Sequence, residues 1–255
     1  MEILRQGART LGLSLSPQQL TRFETYYREL TAWNARFNLT AITGYQEVQR
    51  RHFLDSLCCL LAFPQAGAGD AIPDTVPVQR GGLGLRCLDV GSGAGFPGLP
   101  LKILLPDLRL TLLESVGKKV TFLQHMARTL QLAEVEIVQG RAEEAGHLAA
   151  HRECYDVVLA RAVAQLSVLA EYCLPFCRPG GRLIAPKGEG AAQEAQDALG
   201  AISLLGGRLV AVKRLALPDL GENDHHLVVV DKVSRTPERY PRRAGIPAKR
   251  PLTGA

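Results

Sequence analysis

The stretch Leu88-Asp89-Val90-Gly91-Ser92-Gly93-Ala94-Gly95-Phe96-Pro97-Gly98 predicts a buried strand that breaks into a glycine-rich turn and continues into a helix. Three glycines at alternate positions let the backbone turn tightly and leave no Cβ to keep a ligand away from the chain. Pro97 suits the first turn of a helix. The stretch therefore indicates the strand, ligand-binding loop and helix that open a doubly wound α/β fold.

A second strand, predicted at residues 109–113, is followed by Glu114. In a doubly wound fold, an acidic residue near this place accepts hydrogen bonds from ribose hydroxyls. The dinucleotide fingerprint would have its third glycine at position 96, where this chain has Phe96, so S-adenosylmethionine fits better than a pyrophosphate. Its carboxylate is small enough for the exposed N–H groups of the turn and helix start. The alternative is a turn that needs glycine only for packing, which the position of Glu114 disfavours.

The composition is that of an ordinary globular protein. The 255 residues, 46% of them hydrophobic, are enough for one sizeable α/β domain with additions at its ends. No apolar stretch approaches the roughly 18 residues of a membrane span, and the first residues do not form a secretory signal. We therefore expect a cytoplasmic protein that does not bind a membrane. The cysteines lack C-x-x-C spacing and the histidines lack ligand spacing, so we expect buried thiols and no metal.

Apolar segments that alternate with helical patterns predict a mostly parallel, seven-stranded sheet covered on both faces, with ligands at the carboxyl ends of the strands. The last two strands lack an intervening helix, which predicts one antiparallel strand. The predicted strands are 85–90, 109–113, 135–138, 156–160, 181–185, 208–215 and 226–233, and the clearest helices are 117–131 and 191–205. We divide the chain into a helical cap (1–63), a connector (64–84), a core (85–233) and a basic, proline-rich tail (234–255).

The cap is predicted to contain two helical stretches. Ser16, Pro17 and Gln19 form an N-cap, a first-turn proline and a capping-box partner. The apolar residues that follow recur at intervals of three and four, which predicts one inward-facing stripe. These residues are Leu20, Phe23, Tyr27, Leu30, Trp33 and Phe37. The second helical stretch is predicted from Glu47 to Leu61.

All of the excess positive charge lies in the C-terminal tail. Residues 232–255 contain seven basic residues and one acidic residue, a net charge of +6 against +5 for the whole chain. Four prolines in the same stretch argue against a buried core or a regular helix. Two alternatives remain at this stage: a solvated, disordered tail, and an arm that pairs with phosphates.

Several stretches together resemble a known family. They are Trp33-Asn34-Ala35-Arg36-Phe37-Asn38-Leu39-Thr40-Ala41-Ile42, Arg51-His52-Phe53-Leu54-Asp55-Ser56-Leu57, the loop at 89–98, Leu113-Glu114-Ser115 with Lys118-Lys119 and Phe122-Leu123, and Ala160-Arg161-Ala162-Val163-Ala164. In this order they resemble the class I S-adenosylmethionine methyltransferases and, more narrowly, the bacterial small-subunit ribosomal RNA guanine-N7 methyltransferase G family. The resemblance implies a Rossmann-like core, S-adenosylmethionine as cofactor, and 16S rRNA or the small ribosomal subunit as partner of a monomeric enzyme.

The resemblance also implies the site residues. The expected cofactor-binding residues are Asp89, Gly91, Gly93, Gly95, Phe96, Glu114, Ala142, Glu143 and Arg161, with Glu114 on the ribose and Ala142 and Glu143 at adenine. The substrate-side candidates are Arg161 and Lys187, at the ends of the fourth and fifth strands. The expected RNA-binding residues are Lys118, Lys119, Arg242, Arg243, Lys249 and Arg250. The alternatives are solvation for Glu143 and Lys187, and a structural ion pair for Arg161.

The residues after the fourth strand, Ala160-Arg161-Ala162-Val163, lack the (Asp/Asn)-Pro-Pro-aromatic turn common in enzymes that methylate exocyclic amines. Cys173 and Cys177 lie in an apolar helical stretch, a poor place for the thiolate that methylation of pyrimidine carbon 5 needs. Guanine N7 has a free lone pair, so no residue is expected to act as a catalytic acid or base. Positioning, desolvation and electrostatics would suffice. Because A-form RNA hides N7, the target would be unpaired or distorted.

Other functions fit parts of the sequence. A small-molecule methyltransferase would use the same core with the helical cap as a lid, and a non-catalytic RNA-binding protein would keep a vestigial cofactor pocket. An NAD-linked dehydrogenase is disfavoured by Phe96. For an RNA methyltransferase, deleting residues 235–255 is expected to weaken RNA binding and flatten its salt dependence, and to leave cofactor affinity intact.

Overall fold

A computed structural model describes residues 1–64, 72–76, 84–217, 220 and 224–252. The strands are β1 (Arg86–Val90), β2 (Arg109–Glu114), β3 (Val135–Gln139), β4 (Tyr155–Leu159), β5 (Cys177–Lys187), β6 (Gly207–Arg214) and β7 (His226–Lys232). They form one sheet in the order β3-β2-β1-β4-β5-β7-β6. Strands β1 to β5 pair in parallel, and β7 is antiparallel to both of its neighbours. The seven-stranded, mostly parallel sheet predicted from the sequence is confirmed.

Helices cover both faces of this sheet. In the cap they are α1 (Glu2–Thr10), α2 (Pro17–Phe37), α3 (Tyr45–Val48), a π-helical segment (Gln49–Leu54), α4 (Asp55–Cys58) and a 3₁₀ turn (Cys59–Ala62). The later helices are α5 (Gly98–Leu104), α6 (Gly117–Thr129), α7 (Ala142–Ala145), α8 (Leu166–Cys173), α9 (Ala191–Asp197), α10 (Leu199–Leu204) and α11 (Ile246–Lys249). The helix predicted at 191–205 is therefore two helices that meet at Ala198.

Two apolar cores lie on opposite faces of the sheet, because side chains alternate along each strand. In β7, Leu227 and Val229 join the core shared with the cap, α5 and α6, whereas Val228 and Val230 join the core under α8 to α10. The cap thus packs on one face of the sheet and shares its core. Among the described residues, no helix is both long and apolar enough to cross a membrane.

The start of α2 is confirmed as predicted. The Ser16 hydroxyl accepts from the Gln19 N–H at 3.2 Å, and the Gln19 side chain accepts from the Ser16 N–H at 2.9 Å. The predicted stripe omits Tyr26, which is fully buried, whereas Tyr27 is partly buried and packs against the core, as Trp33 and Phe37 do. The spacing 23, 26, 30 fits a 3.6-residue repeat as well as 23, 27, 30, so periodicity alone could not separate the two tyrosines.

The second helical stretch of the cap is interrupted by the π-helical segment at Gln49–Leu54. Such segments are rare and occur often at functional sites, where the wider turn changes the direction of side chains. Here the segment carries Arg51 and His52, and Asp55 follows it directly.

The C-terminal tail is ordered against the body as far as residue 252, so the alternative of a disordered tail is wrong for residues 234–252. Tyr240 and Pro247 are buried, and the four-residue helix α11 forms despite the prolines. The Arg152 guanidinium donates to the carbonyls of Tyr240 and Thr236 at 2.8 and 2.9 Å. The tail is held here by hydrogen bonds between one arginine side chain and backbone carbonyls, and amino-acid composition does not reveal such contacts. Residues 253–255 lie outside the described part of the chain.

Much of the predicted connector, residues 65–71 and 77–83, also lies outside the described residues. The part between them, 72–76, is tied to the body. The Val76 N–H donates to the Leu11 carbonyl at 2.8 Å, and Lys213 Nζ donates to the carbonyls of Ile72 and Pro73 at 2.7 and 2.9 Å.

Candidate active site

The site lies at the carboxyl ends of β1 and β4, where the strand order reverses. In open α/β sheets this switch point is where ligands bind, because the loops that follow the two strands run to opposite faces. Two cavities open there, and we name them the glycine-loop cavity and the arginine cleft. The glycine-loop cavity has a volume of about 150 Å³ and is lined by Val90, Gly91, Leu113, Ser115, Gly140, Arg141, Ala142, Glu143, Val163 and Tyr172.

The arginine cleft is larger, at about 500 Å³. Its lining residues come from the cap, from the ends of β4 and β5, and from the segment before β7: Ile42, Arg51, His52, Asp55, Arg161, Ala162, Pro186, Lys187, Gly188, Glu189, Asp224 and His225. The segment 161–163 contributes to both cavities, so they are neighbours across the end of β4.

Glycine is required in the loop for two separate reasons. Gly91 and Gly95 have φ of +69° and +92°, in the left-handed region that side chains disfavour. A Cβ on Gly91 would lie 2.9 Å from a methyl of Val163, and one on Gly95 would lie 2.5 Å from both Leu99 Cδ1 and the Tyr26 hydroxyl. The tight turn predicted from the sequence is present, and the chain packs closely against it from two sides.

The loop satisfies most of its own N–H groups. Gly91 and Ser92 donate to the Leu113 carbonyl at 2.8 and 3.2 Å, and the Gly98 N–H at the start of α5 donates to Asp89 Oδ2 at 2.9 Å. The prediction that the N–H at the helix start is exposed to a ligand is therefore wrong. The buried carboxylate of Asp89 takes that donor, an interaction that only the folded loop brings together.

Asp89 is fully buried and lines neither cavity. Burial raises its pKa to about 7, although the hydrogen bond from Gly98 and the charge of Arg161 act in the opposite direction. No described residue donates to its second oxygen, Oδ1. The contacts present make Asp89 a support beneath the loop, and a direct contact with a cofactor stays a prediction.

Glu114 lies at the end of β2 and holds the glycine loop from the other side. Its Oε2 accepts from the Gly93 N–H at 2.8 Å and its Oε1 from the Val116 N–H at 2.9 Å. A carboxylate can accept about four hydrogen bonds, so capacity remains for two hydroxyls. This arrangement fits the predicted contact with a ribose.

Ala142 and Glu143 both line the glycine-loop cavity, as predicted for adenine. Glu143 Oε1 accepts from the Gly245 N–H at 2.9 Å, and no described residue donates to Oε2. A cavity of about 150 Å³ holds a single six-membered aromatic ring, so this one has room for part of a purine, and the apolar side chains of Val90, Leu113 and Val163 suit the faces of that ring. The residues present therefore fit an adenine whose amine donates to a carboxylate.

Phe96 lies elsewhere. It is buried beneath the loop, where its ring stacks on His52 at 4.4 Å and on Tyr26 at 5.2 Å between centroids. Tyr26 also donates to the Ala94 carbonyl at 2.5 Å. The structure thus gives Phe96 a role in joining the loop to the cap, and its predicted contact with a cofactor remains untested.

Arg161 forms the centre of the arginine cleft. Its Nη1 donates to Asp55 Oδ2 at 2.9 Å and to the Arg51 carbonyl at 2.8 Å, and its Nη2 lies 3.1 Å from His52 Nδ1. The ion pair that was the alternative role for Arg161 is therefore present. The side chain also lines the cleft, so the pair fixes the guanidinium at the cleft wall.

Burial and nearby charges give the two ionisable groups next to Arg161, His52 and Asp55, different charge states. Burial and the nearby Arg161 charge lower the pKa of His52 to about 3, so its imidazole is neutral at physiological pH. Burial acts to raise the pKa of Asp55, but hydrogen bonds from His225 and Arg161 outweigh it and the pKa is lowered. Asp55 is therefore an anion between an arginine and a histidine, with His225 Nδ1 at 3.2 Å.

Lys187 lines the same cleft and is paired. Its Nζ donates to the Ala164 carbonyl and to Glu194 Oε1, both at 2.7 Å. The predicted RNA-binding residues are less engaged. Lys118, Arg243, Lys249 and Arg250 are exposed and Lys119 is partly buried. Arg242 differs, because its guanidinium is bound to the fully buried Glu171.

Sequence reasoning missed the contribution of the cap to this site. In the sequence, Arg51, His52 and Asp55 belong only to one of the resembling stretches, and the histidines lack the spacing of metal ligands. The opposite charges of Arg51 and Asp55, four residues apart, were the available signal. Nothing in the sequence connects them with His225, 170 positions after Asp55.

Among the described residues, no group of three or more histidine, cysteine, aspartate or glutamate side chains is arranged to hold a metal ion. All six cysteines are free, and burial raises the pKa of five of them, Cys58, Cys59, Cys87, Cys173 and Cys177. Raised pKa values make these thiols poor nucleophiles.

Comparison with known proteins gives a consistent result. A family model described as rRNA small subunit methyltransferase G (GidB) matches residues 19–228. A relative of the name ribosomal RNA small subunit methyltransferase G from Roseiflexus sp. (strain RS-1) is 50% identical and covers 99% of this chain and 100% of its own length. Another of that name, from Dehalococcoides mccartyi (strain CBDB1), is 48% identical with the same coverage.

One solved structure of similar fold is more distant in sequence. The T. thermophilus 16S rRNA N2 G1207 methyltransferase in complex with AdoMet and guanosine is 20% identical, with a TM-score of 0.43, and the match covers 63% of this chain and 38% of that one. The family match covers residues 19–228, and the two relatives span nearly the whole chain. Both ranges include the glycine loop and the cap residues of the arginine cleft. The chain belongs to the rRNA small subunit methyltransferase G family.

Proposed function

We propose that this protein transfers a methyl group from S-adenosylmethionine to N7 of a guanine in 16S rRNA. The observation that carries the proposal is the pair of neighbouring cavities: one fits an adenine, and the other is wide, open and lined by arginine and lysine. The relatives' names, which specify ribosomal RNA of the small subunit, support the substrate. Because these relatives match this chain over 99% of its length, we infer the same substrate for it.

Of the residues that would hold the cofactor, Gly91, Ala142 and Glu143 line the glycine-loop cavity, and Glu114 lies next to it, between the lining residues Leu113 and Ser115. Glu114 would accept hydrogen bonds from the ribose hydroxyls, and Glu143 Oε2 would accept one from the adenine amine. Gly91, which has no side chain, would let the cofactor lie close to the backbone. When bound, S-adenosylmethionine supplies an electrophilic methyl group on a sulfonium. The segment 161–163, shared by the two cavities, would lie between the methyl group and the substrate base.

The arginine cleft suits the transfer without an acid or base. As the new bond to N7 forms and the bond from sulfur to methyl breaks, the purine gains positive charge and no proton leaves. Asp55 and Asp224 line the cleft but are paired with Arg161 and Arg214, so Glu189 is the lining carboxylate left to favour that charge. The exposed Arg51 suits the phosphates, and Arg161, fixed at the cleft wall, would face the guanine carbonyl. His52 would be only a weak base, because burial and the Arg161 charge lower its pKa to about 3.

RNA would be held by basic residues at the surface of the protein. We retain Lys118, Lys119, Arg243, Lys249 and Arg250 as candidates, because phosphate contacts come mainly from such side chains. Arg242 is a weaker candidate, since pairing with Glu171 occupies its guanidinium. We further propose that the enzyme is a monomer, because a single chain supplies the residues of both cavities. We also propose that it acts in the cytoplasm and that the chain is divided into cap, connector, core and tail.

The test is nucleoside mass spectrometry of small-subunit rRNA after incubation with the protein and isotope-labelled S-adenosylmethionine. Free 16S rRNA and assembled small subunits, both from cells that lack the enzyme, form two arms that identify the real substrate. We expect labelled 7-methylguanosine in at least one arm. The Glu114→Ala variant, checked to be folded, should lose most of the label. Label in any other nucleoside, or none in RNA, would refute the proposal.

A further inference from the structure

We propose that residues 234–252, which we name the C-terminal strap, position the adenine side of the glycine-loop cavity, so that cofactor affinity depends on the strap. The inference rests on the proposed function, because it takes S-adenosylmethionine as the ligand. It replaces the expectation that deleting residues 235–255 would leave cofactor affinity intact. Three sets of contacts carry it.

The first contact holds the carboxylate expected to read adenine. The Gly245 N–H donates to Glu143 Oε1 at 2.9 Å, and Gly245 has φ of +79°, a conformation that glycine adopts readily. Glu143 is buried and lines the cavity. With Oε1 fixed from the strap, Oε2 is the oxygen left to accept a hydrogen bond from a ligand. The strap therefore sets the orientation of a cofactor-binding side chain.

The second contact holds helix α8, which supplies Tyr172 to the cavity wall. Arg242 binds the fully buried Glu171 through two parallel hydrogen bonds, Nε to Oε1 at 2.9 Å and Nη2 to Oε2 at 2.7 Å. The Arg242 backbone N–H adds a third, to Glu171 Oε1 at 2.7 Å. A buried carboxylate needs such a partner, since an unpaired charge in the interior is strongly unfavourable. Arg242 is thus required where α8 meets the cavity.

The third set of contacts holds the far end of α7. His147 Nε2 lies 2.7 Å from the Pro241 carbonyl, and Arg152 donates both to Gly146 at 2.9 Å and to Tyr240 at 2.8 Å. Helix α7 has four residues, and a helix of one turn does not hold its shape without tertiary contacts. The strap supplies such contacts to α7 at Glu143 and just beyond its C-terminal end.

The experiment measures the Kd of S-adenosylmethionine by titration calorimetry for four purified proteins. One is the wild type, and the second is Arg242→Ala, which frees Glu171. The third is a chain that ends at residue 243, which keeps the Arg242–Glu171 pair and removes Gly245. The control is Arg235→Ala, the same type of residue in the same strap, whose side chain is 87% exposed. Hydrogen exchange of the α7 amides without ligand gives a second readout.

We expect the Kd to rise on the order of tenfold in Arg242→Ala and in the shortened chain, the effect of losing one hydrogen bond to a charged group. The control should bind like the wild type, and the α7 amides should exchange faster in both strap variants. A fifth protein, Arg242→Lys, should recover part of the affinity, because it restores the charge without the paired geometry.

A purely structural role for the strap would lower the melting temperature and leave the Kd of the folded protein unchanged. That outcome, or unchanged exchange of the α7 amides, would overturn the inference. If the wild type binds and both strap variants bind as tightly as the wild type, the inference fails and the proposed function stands. If the wild type shows no binding, the proposed function fails first.

Discussion

The glycine-loop cavity and the arginine cleft lie side by side at one edge of the sheet, yet they are built in different ways. Backbone conformation makes the first: glycines at φ of +69° and +92° turn the chain, and Glu114 holds the loop through an N–H group. Side-chain charge makes the second, where Arg161 joins the cap to the core through Asp55.

The two buried aspartates show what the difference means electrostatically. Asp89 lies beneath the glycine loop with no ion-pair partner among the described residues, and burial raises its pKa to about 7. Asp55 lies in the arginine cleft beside Arg161 and His225, and its pKa is lowered. The glycine-loop region therefore contains a buried carboxyl, Asp89, that binds a proton near neutral pH, and the arginine cleft contains a carboxylate, Asp55, that stays charged and paired. Substitutions should therefore act by steric strain in the first and by loss of charge pairing in the second.

The largest effect is expected for Arg161→Met, which leaves the buried Asp55 without its strongest partner. Removing one member of a buried pair typically destabilises a protein by about 3 to 5 kcal/mol. The measurement is the free energy of unfolding in urea. The matched control is Arg214→Met, whose pair with Asp224 has the same 2.9 Å separation but side chains 73% and 40% exposed, and for which we expect less than about 1 kcal/mol. Equal losses in the two variants would show that the cleft does not depend on buried pairing.

A smaller effect, of about 3 kcal/mol, is expected for Gly95→Ala, which combines a left-handed backbone with a Cβ 2.5 Å from Leu99 and the Tyr26 hydroxyl. Gly93→Ala is the control, because it has the same sign of φ but its Cβ would meet only the Gly91 carbonyl, at 3.8 Å. Conformational strain alone should destabilise it by about 1 kcal/mol. If both variants lose equal stability in urea, steric contact with the cap is unimportant to the loop.

The smallest effect is a difference in pH dependence. The pKa of Asp89 is about 7 in the folded protein and 3.8 in the unfolded chain. At pH 5 the folded protein therefore holds a proton that the unfolded chain has lost, and the stability that this proton provides is lost as pH rises through 7. Relative to Asp89→Asn, the wild type should lose about 2 kcal/mol between pH 5 and pH 8, measured by urea unfolding at each pH.

Asp55→Asn provides the opposite case. The lowered pKa of Asp55 means that its contribution is present above the unfolded pKa and is lost only as pH falls through the lower folded value. The deficit of this variant relative to the wild type should therefore be largest near neutral pH and shrink in acid. Two aspartates with the same pH trend would remove the contrast between the two regions.

Local sequence was enough for the parts of this protein that short-range rules govern. The capping box at Ser16, the glycine loop and the alternation of strands with helices each follow from the conformations that a few adjacent residues allow. The buried strands, the switch point and the position of Glu114 next to the loop follow from that pattern. The family resemblance added Ala142 and Glu143, which line the predicted cavity.

Tertiary structure decided everything that joins distant residues. Arg161 pairs with Asp55 across 106 positions, His225 reaches Asp55 across 170, and Gly245 donates to Glu143 across 102. Each of these polar side chains has an ordinary solvated alternative when only its neighbours are known. Burial removes that alternative, since a polar group away from water must find a partner. The strap shows the same logic: its composition favours solvent, but Arg242 supplies the one charge that the buried Glu171 requires.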